Sequence, residues 1–164
     1  PGKLSFAEAR YRVEHYYTPY HEALATLIET TRRRFGHCLL VDCHSMPSIG
    51  GTGNGFDVPG NRVDFVLGDC HGASCAPAVT ARVRDTLRAL GYQVALNEPY
   101  SGGFVTRHYG RPREGLHSLQ IEINRALYMD ERRIRRKAGL AVLAERMQEV
   151  ILALGQIAPE ALAA

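Results

Sequence analysis

The chain has 164 residues, enough for one domain with a real core, and its 45% hydrophobic and 23% charged content is ordinary for a soluble globular protein. A net charge of +3, from 20 Lys and Arg against 17 Asp and Glu, is too mild to argue for a nucleic-acid partner. No apolar run approaches the roughly 20 residues that a bilayer span needs, and nothing at the start reads as a signal peptide, so no membrane partner is expected.

Residue 1 is Pro, and a helix begins almost at once, so the chain is expected to be a piece of something longer. Ser5 is a predicted N-cap, and Glu8 three residues on completes a capping box. Apolar and aromatic residues recur at helical spacing through Tyr16, Tyr20, Leu24, Leu27 and Ile28. Pro19 interrupts the pattern, which predicts either a kink or a second helix starting there. Arg32, Arg33 and Arg34 suit a helix C-terminus, and Gly36 closes it. His15 and His21 are expected to be packing or surface groups.

Leu39, Leu40 and Val41 form a short apolar run of the kind that fills a strand buried on both faces. The run ends in Asp42, His44 and Ser45, followed by a turn at Met46-Pro47. Ligands in open α/β sheets sit outside the carboxyl ends of strands, so this change from apolar to polar is a site signal. Alternation along a strand points Asp42 and His44 to one side and Cys43 to the other. A histidine beside a carboxylate suits metal ligation or proton transfer, and a structural histidine in a strand-to-loop turn is the alternative.

Residues 48–61 are dense in glycine. A phosphate loop should lead straight into a helix, and here Phe56-Asp57-Val58-Pro59-Gly60 follows, so a mobile active-site loop is the better reading. Val63 to Leu67 is a second predicted strand, with Asp69 and His71 again polar at its end. Cys38, Cys43, Cys70 and Cys75 lack the CxxC spacing of a zinc ribbon. They read as reduced, mostly buried thiols of a cytoplasmic protein, with a disulfide as the alternative. Pro77 to Leu90 is an amphipathic helix with Val79, Val83, Leu87 and Leu90 on one side. Tyr92 to Leu96 is a third strand, ending in Asn97 and the Gly102-Gly103 turn. Phe104 to Tyr109, carrying Arg107 and His108, is expected to be extended.

Ser118 to Asn124 is the second informative strand, with Leu119, Ile121 and Ile123 alternating against Gln120, Glu122 and Asn124. A strand deep in an α/β protein rarely gives one whole face to polar groups unless they line a cavity. Glu122 held there is partly desolvated, which raises its pKa toward the range of a general base. An edge strand with a solvated face is the alternative. Asp130 is expected to cap a long helix to about Leu154, with Ile134, Leu140, Leu143, Met147, Val150 and Ile151 inward. The basic run from Arg132 to Lys137 lacks an aromatic platform for nucleic acid and reads as a solvated helix face. The alternation of helix and strand predicts an α/β fold, a mostly parallel sheet with helices on both faces.

The stretches YYTPYHEAL, VDCHSMP, DFVLGDCHGASC, NEPYSGGFVTRHYG and LQIEINRALYMDE, in this order over nearly the whole chain, resemble the N-formylglutamate amidohydrolase family of zinc-dependent carboxypeptidase-like hydrolases. The resemblance implies a three-layer sandwich with a mixed, mostly parallel sheet, like that of zinc exopeptidases. It also implies a zinc cofactor, with His44 as a zinc ligand and Glu122 as the general base. The family is expected to carry an amino-terminal portion, absent here, whose Pro-His-Ser-Gly motif and an acidic residue supply the other ligands. The chain is therefore expected to be a single domain lacking that portion. Zinc usually takes three protein ligands and a water; His71, His108 and Asp42 are the residues left here to fill in.

The implied reaction is cleavage of N-formyl-L-glutamate to formate and glutamate, a step of histidine degradation. A dicarboxylic N-acyl amino acid needs fixed cations, for which Arg107 and Arg125 are the candidates, with Arg62 behind them. Asn97 and Gly103 would shape the pocket, and Asp42 would orient the site. The alternatives are a related amidase acting on another N-acyl amino acid, or a truncated domain without catalysis.

Overall fold

The apolar run at Leu39 lies inside a nine-residue strand, β1 (Cys38–Met46), which pairs in parallel with another nine-residue strand, β4 (Leu116–Asn124). The computed structural model describes residues 2–48 and 63–162; the glycine-dense loop beyond Ser48, and Arg62, lie outside them. Two shorter strands, β2 (Phe65–Gly68) and β3 (Val94–Leu96), complete a sheet of order β1-β4-β2-β3. The β2–β3 pair is also parallel, whereas β2 runs antiparallel to β4. The mixed, mostly parallel sheet is as expected. β4 is an interior strand, which removes the edge-strand reading of its polar face.

Before β1, the capping box forms as predicted: the Ser5 hydroxyl accepts from the Glu8 amide, and the Glu8 carboxylate accepts from the Ser5 amide. Helix α1 (Phe6–Arg12) passes through a π turn (Val13–Tyr17) into α2 (Thr18–Phe35). Pro19 stands in the first turn of α2, so the missing N–H falls where the ladder has already been reset. Gly36, at φ 81°, ends α2 in the left-handed conformation.

The two faces of the sheet are covered differently. On one, helices α3 (Pro77–Ala89) and α5 (Gly139–Leu154) pack against Phe65, Leu67, Leu119 and Ile121, with Val79, Val83, Leu87, Leu143 and Val150 closing the core. Each such side chain contributes on the order of 1.5–3 kcal/mol by leaving water. On the other face, α2 and a short helix α4 (Phe104–Tyr109) enclose a smaller cluster of Ile28, Cys38, Tyr109 and Leu116. That cluster covers the beginnings of β1 and β4 and leaves their ends to polar residues.

Two expectations fail locally. Phe104–Tyr109 is a helix, although its aromatic and β-branched residues favour a strand: packing Thr106 and Tyr109 onto the sheet, three apart, overrides local preference. Residues from Asp130 do not start the last helix. Met129–Asp130 (β5) and Arg135–Arg136 (β6) form a hairpin, whose turn is closed by the Arg132 and Arg133 amides donating to the Asp130 carboxylate. Asp130 does cap backbone, but that of a turn. Ile134 is consequently exposed, as is Ile151, and α5 begins at Gly139, where a Cβ would collide with the Leu127 carbonyl.

All four cysteines are free; Cys38 and Cys75 are buried, Cys70 is half-buried, and Cys43 is exposed rather than buried as expected. Among the described residues no helix is long and apolar enough to cross a membrane. The fully buried Ile121 tests the core assignment. Ile121→Ala should lower stability by about 2–5 kcal/mol in equilibrium urea unfolding. A loss below about 1 kcal/mol would place the apolar face of β4 outside the core.

Candidate active site

Because β1 and β4 are parallel and in register, His44 stands directly beside Glu122, and Asp42 beside Gln120. Paired residues on neighbouring strands project from the same face, so the two polar runs merge into one patch. The His44 Nε2 lies 3.1 Å from Asp42 Oδ1, and its Nδ1 lies 3.7 Å from Glu122 Oε1. The imidazole is thus flanked by two carboxylates. Its side chain is 45% exposed, whereas that of Glu122 is 7% exposed. The patch is open at the histidine and closed at the glutamate.

Burial pushes the Glu122 carboxyl above its ordinary range, against the opposing pull of His44 and of a hydrogen bond from Gln120. That bond is part of a short relay. The Gly103 amide donates to Gln120 Oε1 at 2.6 Å, and Gln120 Nε2 donates to Glu122 Oε1 at 2.9 Å. An amide side chain has one accepting end, so the backbone N–H of Gly103 dictates that Gln120 presents its donor to Glu122. A Cβ on Gly103 would meet Gln120 Oε1 at 3.3 Å, so the glycine permits this close approach. Asp42 Oδ2 is buried and has no hydrogen-bond partner among the described residues.

The two predicted arginines lie at different parts of this patch. The Arg125 Nε donates to the Ser45 hydroxyl at 3.1 Å, and its Nη1 lies 3.5 Å from Glu131 Oε1. This places Arg125 at the open end, where its charge reaches Glu122. Arg107 donates to the Gly102 carbonyl at 2.8 Å and is exposed on α4, beside the glycine turn. Gly103 meets the patch through its backbone alone.

Asn97 is placed elsewhere. Its Oδ1 accepts from the Asp69 and His71 amides, and its Nδ2 donates to Asp69 Oδ1, so its whole amide is used to hold residues 69–72. Asp69 also accepts from the Gly72 amide and the Thr80 hydroxyl. This network supports Cys70 and His71, whose φ values of 54° and 57° are unusual for residues other than glycine. The polar end of β2 therefore resembles that of β1 in sequence but not in space: antiparallel pairing sets Gly68 opposite Gln120. His108 stacks on Phe104 beside His21, and His21 contacts the Tyr109 hydroxyl at 2.7 Å, as a packing group should. Among the described residues no three His, Cys, Asp or Glu side chains form a group able to hold a metal. His44 brings one imidazole, with carboxylates on both sides, and this donor set does not fit a three-ligand zinc site.

Sequence reasoning names Gln120 and Ser45 as polar without giving either a task, and it gives Glu131 none. The signal for Gln120 was its place two residues before Glu122 on a buried face.

The fold and patch define a three-layer α/β protein with a buried carboxylate beside an imidazole near the ends of parallel strands. The family model for N-formylglutamate amidohydrolase matches residues 1–129. An N-formylglutamate deformylase of Pseudomonas aeruginosa is 40% identical over 132 residues, which are 79% of this chain and 48% of that protein. One from Pseudomonas putida is 38% identical over the same length and shares. The crystal structure of N-formylglutamate amidohydrolase from Ralstonia eutropha superimposes with a TM-score of 0.81 at 39% identity, over 93% of this chain and 54% of that one. A gene product of Agrobacterium tumefaciens, 21% identical with a TM-score of 0.67, shares the fold. The chain belongs to the N-formylglutamate amidohydrolase family, and it spans about half the length of the curated relatives that it matches.

The Asp69 network gives a test of the scaffold beside the patch. Burial alone would raise the Asp69 pKa, but hydrogen bonds from Asn97, Gly72 and Thr80 outweigh it and hold the carboxyl below its ordinary range. A depressed folded-state pKa means that the ionised group stabilises the protein above its unfolded value, and that this contribution is lost as pH falls through the folded value. Asp69→Ala should therefore cost about 2–4 kcal/mol at pH 7 and less in acid. Urea unfolding at both pH values checks this, and an equal loss at both would exclude the ionised form.

Proposed function

We propose that this chain carries the general-base side of an amidohydrolase site acting on an N-acyl amino acid, with N-formyl-L-glutamate as the substrate. One observation carries the reading: Glu122, buried and raised in pKa, lies beside the imidazole of His44, where the polar face of the sheet meets solvent. The names of the relatives support the choice of substrate.

The chemistry asked of this chain is a proton relay. Glu122 takes a proton from the attacking water as its oxygen adds to the formyl carbon, and the same carboxyl returns it to the departing amine. Water thus supplies the new C–O bond, the C–N bond breaks, and formate and glutamate leave. A carboxylate whose charge is disfavoured by burial is a stronger base than one in water. Gln120 holds the accepting oxygens in place, and Arg125 stands at the open end, where a substrate carboxylate would find a planar cation. Zinc, were it bound, would polarise the carbonyl and the water. The described residues offer it His44, and the further ligands would come from elsewhere in a longer protein. Four free cysteines support a reducing, cytoplasmic setting.

A second reading, a domain without catalysis of its own, is favoured by the lack of a three-ligand group among the described residues. Formate release from N-formyl-L-glutamate by the complete natural protein tests the first reading. Glu122→Gln should lower turnover roughly 10²–10⁴-fold, and unchanged turnover would remove Glu122 as the base. Elemental analysis of the 164-residue chain alone tests whether it holds a metal by itself. Well under one zinc per chain is expected; one zinc per chain would show a site completed within it.

A further inference from the structure

The β5–β6 hairpin sets a carboxylate against the open end of the patch. Asp130 closes its turn through the Arg132 and Arg133 amides, and that turn holds Glu131 within reach of Ser48, just beyond β1, and of Arg125, just after β4. The Glu131 side chain is 25% exposed, and each of its oxygens has its own partner. Oε2 accepts from the Ser48 amide at 3.0 Å, and Oε1 lies 3.5 Å from Arg125 Nη1. A carboxylate held at both oxygens cannot rotate freely. Hydrogen bonds from Ser48, through its hydroxyl and its amide, and from Arg125 hold the Glu131 carboxyl below its ordinary range against burial, so it is ionised at neutral pH.

Arg125 is held from two sides. Its Nε donates to the Ser45 hydroxyl at 3.1 Å and its Nη2 to the Ser45 carbonyl at 3.3 Å, while Nη1 faces Glu131. These contacts take one N–H on each nitrogen. Each terminal nitrogen keeps one N–H without a partner among the described residues, and such a pair is the fork that a carboxylate accepts bidentately. The rotamer freedom of a long side chain is thus lost before a ligand arrives.

We propose that Glu131 is a positioning residue: it aims the Arg125 fork at one carboxylate of the substrate, and so sets the preference for a dicarboxylic N-acyl amino acid over a monocarboxylic analogue. The inference rests on the proposed reaction for its substrate, and on the contacts among Glu131, Ser48 and Arg125 for its mechanism. The rival is competition, in which Glu131 merely occupies a cation that the substrate would otherwise use. The second anchor at Ser48 favours positioning, because it fixes Glu131 at one nitrogen and leaves the fork open. The two ideas predict opposite signs.

The test compares three substrates with the complete natural protein: N-formyl-L-glutamate, N-formyl-L-glutamine, which lacks the side-chain carboxylate, and N-formyl-γ-aminobutyrate, which lacks the α-carboxylate. Glu131→Ala should lower kcat/KM at least tenfold on N-formyl-L-glutamate, mainly through KM, and on the one analogue that keeps the carboxylate gripped by Arg125. On the other analogue it should change less than twofold. Glu131→Gln, which keeps a single accepting oxygen, should fall between wild type and Glu131→Ala on N-formyl-L-glutamate. A gain in kcat/KM would show competition and overturn the proposal. An equal loss on all three substrates would make Glu131 a prop of the fold, and no loss would leave it without a role; either overturns the proposal. A second measurement does not depend on turnover. The NMR signal of the Arg125 Nε–H, assigned by its disappearance in Arg125→Lys, should exchange with water at least tenfold faster in Glu131→Ala, and unchanged exchange would overturn the proposal. Faster exchange in a protein that releases no formate would count against the reaction and leave the hold of Glu131 on Arg125 standing.

Discussion

A buried carboxylate on an interior strand constrains much of this structure. Leaving Glu122 uncompensated would cost several kcal/mol or force it to bind a proton. The fold supplies two partial compensations, an imidazole from β1 and an amide from Gln120, and the balance still leaves the pKa raised. Gln120 in turn is itself buried and must be satisfied at its oxygen. The Gly103 N–H brought very close does that, with the Thr106 hydroxyl at 3.5 Å, and glycine in the turn ahead of α4 permits the approach. The placement of α4 over the sheet and the state of Glu122 are thus two ends of one chain of hydrogen bonds.

Strand direction decides which polar groups join that chain. In the parallel β1–β4 pair, His44 and Glu122 share a register position near the carboxyl ends of both strands. β2 carries a similar run, yet it lies antiparallel to β4, and its Asp69 turns inward to hold its own loop with Asn97 and Thr80. Similar local chemistry gives a solvent-facing patch in one case and a scaffold in the other. The difference is topological, since every donor around Asp69 is already engaged, whereas His44 meets solvent.

This explains what was legible in the sequence. The strand ending in Asp42 and His44, the polar face of β4, the capping box and the α3 stripe all follow from periodicities of 2 and 3.6, which local sequence encodes directly. The direction of β2 is not so encoded, and Asn97 was accordingly expected in the pocket, although its amide is turned toward residues 69–72. The helix at Phe104–Tyr109 was hidden because its reason is Thr106 and Tyr109 meeting the sheet, a contact between distant segments. The hairpin at 129–136 was hidden because Asp130 followed by a basic run reads equally as a helix cap and as a tight turn. What separates them is the contact of Gly139 with Leu127, which delays the helix.

The two faces of the sheet are asymmetric. The α3–α5 face is closed and apolar, so it stabilises the sheet without help from further chain. The opposite face is filled by aliphatic and aromatic groups only at its beginning, and beyond Leu40 on β1 it turns to Asp42 and His44. An orphaned carboxylate oxygen at Asp42 costs about 1–3 kcal/mol if nothing donates to it. The closed face offsets that cost. The sheet thus presents an imidazole between two carboxylates, with Arg125 held at the open end of the patch by Ser45 and Glu131.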